Sequence, residues 1–211
     1  MQERGERITV KLELENETRP DADSANVVAE IRGSERPEEI VLISGHLDSW
    51  DVGQGAQDDG VGVMNVWEAA RLIRAAGLKP KRTIRVVLFT NEESGLKGGF
   101  AYRDAHKEEL KKHVAMLESD EGNGAIRGFT FDPGEGIGLS RLPAGSATHT
   151  SPADALAKLR DWAGHFEALG PLKFEAGGSG ADIGPAVKTG VPGIGVDPAD
   201  SHYWGIHHTW A

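Results

Sequence analysis

The sequence predicts an α/β fold with a mixed, largely parallel central sheet and helices on both faces. Two observations carry this. Strand-like apolar runs at Ile40 to Ser44, Thr83 to Thr90 and His113 to Leu117 alternate with segments of helical apolar spacing, the pattern of a sheet joined by helical crossovers. Each run ends in imidazole or carboxylate groups: His46 and Asp48, then Glu92 and Glu93, then Glu118 and Asp120. Ligands in such sheets gather at the carboxyl ends of the strands, so three polar ends in succession point to one site.

The elements follow in order. Ile8, Val10, Leu12 and Leu14 alternate with Thr9, Lys11, Glu13 and Glu15, which predicts a half-buried strand. Asn16 to Ser24 breaks it as a loop. Val27 to Ile31 reads as a second strand, Gly33 to Glu38 as a turn, and Ile40 to Ser44 as a fully buried third. Val63, Val66, Trp67, Ala70, Leu72 and Ile73 recur at helical spacing until Gly77 stops them. Thr83 to Thr90 is the most strand-like run, a helix is expected over Leu96 to Lys112, and a further strand over His113 to Leu117. Gly122 to Thr150 reads mainly as loops, with one short strand at Ile126 to Phe131. Pro152 sits where a first helical position favours proline, and Leu156, Leu159, Trp162, Ala163, Phe166 and Leu169 carry that helix to Gly170, with Trp162 and Phe166 in the core. A short helix over Ala181 to Lys188 and a last strand over Val191 to Val196 complete the chain. Residues 1–211 read as one domain, with 1–24 as a strand and loop leading into it.

Composition narrows the function. A net charge of -10, from 23 basic and 33 acidic residues, opposes a nucleic-acid partner. There is no cysteine, so any metal is held by nitrogen and oxygen. No apolar run approaches a membrane span, and Met1 to Arg7 is too charged for a signal peptide; the chain as given reads as soluble, its localisation otherwise open. Gly134 to Gly138 lacks the strand-to-helix frame of a dinucleotide fingerprint. Gly177-Gly178-Ser179-Gly180 fails the nucleophile-elbow spacing because residue 181 is alanine.

The chemistry concentrates in Ser44 to Gly60, where one histidine and four aspartates sit among small residues directly after a buried strand. Imidazole and carboxylate at a strand end form a cradle for a divalent ion. Taken with Glu92, Glu93, Asp120, His207 and His208, the chain holds enough groups for two ions sharing a carboxylate, with a base left over. Singly, each has a plainer reading: Asp51 and Asp59 as turn formers, Asp59 with a local hydrogen-bonding role, Glu92-Glu93 as a solvated pair. His113, His149, His165 and His202 show no ligand spacing and read as surface or structural. Asp182 divides between helix capping and support of the site.

Gly45-His46-Leu47-Asp48-Ser49-Trp50-Asp51-Val52-Gly53-Gln54-Gly55-Ala56, with Asp21 to Asn26 before it and the ordered strand ends after it, closely resembles the M28 family of co-catalytic zinc exopeptidases, within it the carboxypeptidase Q branch. The resemblance implies the zinc-peptidase fold and a role for each matching position. His46 and Asp120 would bind one zinc ion, Glu93 and a C-terminal histidine the other, and Asp58 would bridge them. Asp48 would accept the ring N–H of His46, Glu92 would be the general base, and the Asp58-Asp59 peptide would be cis. His208 fits the family pattern better than His207, because a small hydroxyl residue, Thr209, follows it. Manganese or cobalt are the expected substitutes for zinc.

Relatives continue past the equivalent of Ala211 and many carry a protease-associated domain before the Asp21 region, so the chain reads as a catalytic core. The expected substrate is a dipeptide or short peptide, one terminus lying near Gly178 to Asp182 and the Tyr203 to Gly205 loop. The branch also implies a homodimer. Two other functions compete: a non-catalytic scaffold on the same fold, and a two-metal phosphoesterase, which the acidic balance and the lack of an evident arginine clamp oppose.

Overall fold

The structure is a computed structural model that describes residues 9–134, 152–199 and 202–209; Ile8, Glu135 to Gly138, His149, Ser151 and Ala211 lie outside them. Its elements are β1 (Val27–Ile31), β2 (Arg36–His46), α1 (Val61–Ala75), β3 (Arg82–Phe89), α2 (Lys97–Ala105), β4 (His113–Glu118), β5 (Ile126–Asp132), α3 (Pro152–Asp161), β6 (Lys173–Ala176), α4 (Gly184–Val187), β7 (Gly193–Pro198) and α5 (Tyr203–Ile206). Seven strands form one sheet in the order β1-β3-β2-β4-β7-β5-β6. The β1–β3 and β5–β7 pairs are antiparallel and the other four parallel, so the sheet is mixed and largely parallel.

The period-two pattern of the central strands sorts their side chains onto two faces. Leu42, Val87, Phe89 and Met116 are fully buried with Tyr102 of α2 and Ala186 and Val187 of α4. On the other face Ile43, Val86 and Leu88 meet Val63, Val66 and Ala70 of α1. A third cluster joins Phe131 and Phe174 to Leu159 of α3. Among the described residues no helix is long and apolar enough to cross a membrane.

The strand order creates the site. The chain passes from β2 through α1 to β3 on one side, then through α2 to β4 on the other side of β2. The crossovers reverse direction about β2, which opens a crevice beyond its carboxyl end. Gly62 lets α1 start there: a Cβ on it would meet the Ser119 carbonyl at 1.8 Å and the Asp59 carboxylate at 2.2 Å, so only glycine allows the helix to begin this close to the end of β4.

Several elements differ from expectation. Residues 9–26 form no regular element, and Val10, Leu12 and Leu14 are 81%, 74% and 71% exposed; alternation supplies an apolar face, but a strand also needs a ladder partner, and none of the described residues pairs with this segment. The expected helix over Leu96 to Lys112 is α2 plus a separate 3₁₀ turn at Leu110–Lys112. The next long helix is α3 continued by a 3₁₀ segment, Trp162–Leu169. That tighter winding advances each side chain by more than an α-helix does, and Trp162 emerges 52% exposed, while Phe166 stays against the Phe131 cluster. The short strand β6 was not expected. His113 is structural: it is buried at the opposite end of the sheet and its Nε2 meets the Tyr102 hydroxyl at 2.8 Å.

Candidate metal centre

Five segments bring the polar groups together. β2 delivers His46, the following loop and turn deliver Asp58, the ends of β3 and β4 deliver Glu92, Glu93 and Asp120, and the turn after α5 delivers His208. His46 Nε2 lies 3.1 Å from Asp58 Oδ1 and 3.1 Å from Asp120 Oδ1. His208 Nε2 lies 3.0 Å from Asp58 Oδ2 and 2.9 Å from Glu93 Oε2. Asp58 therefore turns one oxygen toward each histidine. Glu92 Oε2 sits 4.0 Å from His46 Nε2, beside both clusters.

His207 goes elsewhere. Its ring stacks on Tyr203, with centroids 5.0 Å apart, and of the two adjacent histidines it is His208 that stands beside Asp58 and Glu93.

Local hydrogen bonds fix these groups. The buried Asp59 carboxylate accepts the His46 N–H at 2.9 Å and the Gly62 N–H at 3.0 Å, tying the end of β2 to the start of α1. The Asp58-Asp59 peptide is cis. Asp48 departs from expectation: His46 Nδ1 lies 2.9 Å from the Asp48 backbone carbonyl and 3.8 Å from its carboxylate. The carbonyl is the partner that orients the ring, and donation to it leaves Nε2 for the carboxylates. The Asp48 carboxylate instead accepts the N–H groups of Glu92 and Glu93, at 2.9 and 3.2 Å, which sets the loop that carries both glutamates.

Two contributors were given no role of their own from the sequence. Glu118, buried at the last position of β4, accepts N–H groups from Ala181, Asp182 and Ile183 at 2.7, 3.2 and 3.0 Å, anchoring the Gly177 to Asp182 loop beside the site. Its signal was a glutamate at a buried strand end, overshadowed by Asp120. The other is Trp50, whose ring faces His208. Asp182 is 1% exposed and does not cap α4, whose N-cap is Ile183.

The electrostatics are those of crowded carboxylates. Burial, together with Asp120 and Glu93 nearby, pushes Glu92 up to about 7 against the pull of His46. Burial and Asp120 push Asp59 up to about 8. Burial disfavours the charged form of His46, but its bonds to Asp120 and Asp58 outweigh that and push it up to about 12. Glu93 is also raised, first by burial and then by Asp58.

The signs define a pH dependence for metal-free protein. Folded Glu92 and Asp59 keep protons that the unfolded chain releases near 4.5 and 3.8, so their effect on stability is lost as pH rises through about 7 to 8. The raised His46 contributes below 6.5 and loses its contribution as pH climbs toward about 12. All three agree, so thermal melts of chelator-treated protein should show a falling Tm from pH 5 to 9, in about unit steps. Zinc-loaded protein should show the opposite slope across the acidic part of this range, because ligands must lose their protons to bind a cation.

The residues fit a bound divalent cation. Glu93 Oε1 is buried with no hydrogen-bond partner, a costly state for a carboxylate oxygen that a cation would relieve. His46, Asp58 and Asp120 form one group of converging ligand atoms, and Asp58, Glu93 and His208 another. All-nitrogen-and-oxygen donors with a shared carboxylate suit zinc.

Residues 26–210 match Peptidase family M28, and the chain belongs to that family. Carboxypeptidase Q of Mus musculus is 40% identical over 209 residues, covering 99% of this chain and 41% of that protein; the chain thus spans well under half the length of this relative. A crystal structure of a peptidase M28 precursor from Shewanella amazonensis SB2B matches with a TM-score of 0.74 at 38% identity, over 87% of this chain and 38% of the other. BSAP, a zinc aminopeptidase from Bacillus subtilis, shares the fold at a TM-score of 0.60 and 20% identity, over 87% of this chain and 43% of its own.

Proposed function

We propose that the protein is a di-zinc exopeptidase that hydrolyses dipeptides or removes terminal residues from short peptides. The observation that carries this is the placement of Asp58, one carboxylate oxygen facing each of two histidine-carboxylate clusters. His46, Asp58 and Asp120 would hold one ion, and Asp58, Glu93 and His208 the other. When bound, zinc would lower the pKa of an attacking water and polarise the scissile carbonyl.

The chain supplies the rest. Glu92, pushed up to about 7 by burial, is poised to take a proton from that water and return it to the leaving amine. The Asp48 carboxylate holds Glu92 and Glu93 in register through their backbone N–H groups, and adjacent residues leaving a strand point apart, so one serves as base and the other as ligand. The Gly177 to Asp182 loop, anchored by Glu118, walls the crevice where a peptide terminus would lie.

Zinc-loaded protein should release free amino acids from unblocked dipeptides, read by amine-reactive chromatography. Cleavage of long peptides at internal bonds only, or no hydrolysis with two ions bound, would contradict an exopeptidase.

A further inference from the structure

The two histidines are held in different ways. His46 is oriented by a backbone carbonyl. His208 is faced by an indole: Trp50, on the loop after β2, stacks on it with centroids 4.5 Å apart and planes at 12°. His208 in turn meets His207 at 4.5 Å with the rings tilted at 41°, His207 stacks on Tyr203 at 5.0 Å, and the Tyr203 hydroxyl donates to the Asp120 carbonyl at 3.3 Å.

The loop is shaped for this contact. The Gly53 N–H donates to the Trp50 carbonyl at 2.8 Å, and a Cβ on Gly53 would stand 3.0 Å from the Thr209 carbonyl, so the Trp50 turn and the His208 turn lie against one another. His208 itself has φ 57, in the left-handed region that side chains other than glycine seldom occupy. A ligand on such a backbone needs its ring fixed from outside.

We propose that Trp50 is the positioning residue of the Asp58–Glu93–His208 pole: its ring face holds the His208 imidazole so that Nε2 stays aimed at Asp58 and Glu93. Aromatic stacking fixes a ring plane, and an imidazole that shares charge with a cation is drawn more strongly to the electron-rich face of an indole. By linkage, whatever strengthens the stack when a cation binds also strengthens the binding. Trp50 therefore sets zinc affinity at this pole and leaves the His46–Asp120 pole unchanged. This rests on the two-zinc reading above.

Zinc titrations against a competing chelator, on the metal-free chain, test it. Trp50→Leu should weaken one of two sites about tenfold, while Trp50→Phe, which keeps a ring face, stays within about threefold of wild type. In wild type, tryptophan emission should change as the weaker site fills, and Trp50→Phe should lose that change. If Trp50→Leu fails to fold by circular dichroism, the emission change and its loss in Trp50→Phe decide alone. Equal affinities in all three proteins, or equal weakening of both sites, would overturn the proposal while leaving a two-zinc centre standing. A wild-type chain that takes up fewer than two ions would remove both.

Discussion

Replacing Glu92 with glutamine should lower kcat by about 10²- to 10⁴-fold, the range a positioned general base contributes, while bound zinc and fold stay unchanged. Glu92 is the outlying member of the cluster: its carboxylate stands 4.0 Å from His46 Nε2, farther than any of the four histidine–carboxylate contacts that define the two poles, and it converges with His46 and Glu93 as a third group. Glutamine keeps the side chain's size but cannot take a proton. Removing a carboxylate that burial and its neighbours hold up at about 7 also relieves crowding, so the metal-free variant should melt no lower than wild type. Steady-state dipeptide hydrolysis, with zinc counted by atomic emission on the same samples, checks all three points. Wild-type turnover in Glu92→Gln would move the base elsewhere.

Asp58→Asn should have the largest effect on zinc. Asp58 is the one residue common to both poles, through Oδ1 toward His46 and Oδ2 toward His208. An amide offers one oxygen and one NH₂, so one pole would face a donor where it needs an acceptor. Loss of a partner that merely orients a ligand costs metal affinity about 10- to 100-fold; loss of a shared ligand should exceed that at both poles. Chelator-competed zinc titration should then show both affinities falling, whereas Asp120→Asn and Glu93→Gln should each weaken mainly their own pole.

Much of this was legible in the chain itself. Strand-ending residues could be read because a buried parallel strand is a short apolar run, and a histidine or glutamate immediately after it has few places to point. The helix faces were legible for the same reason: Val63, Val66 and Ala70 carry the 3.6-residue period and meet Val86 and Leu88.

What escaped were contacts that residue type does not encode. Asp48 orients His46 through its carbonyl, and any residue has one; only its carboxylate work on the Glu92 and Glu93 N–H groups uses its identity. Trp162 follows helical spacing in the sequence, yet the helix tightens at that residue and turns it outward. β6 is four residues long, too short for alternation to mark it. Val10, Leu12 and Leu14 show the converse: a clear strand pattern with no partner to pair it among the described residues. His208 was named from the family pattern, and only the fold shows the short helix and the left-handed backbone that place it beside Glu93.

The most direct measurement is anomalous scattering at the zinc edge from crystals of zinc-loaded protein. Two peaks are expected, one among His46, Asp58 and Asp120 and one among Asp58, Glu93 and His208, with Asp58 touching both. A single peak, or peaks away from Asp58, would contradict a shared two-zinc centre.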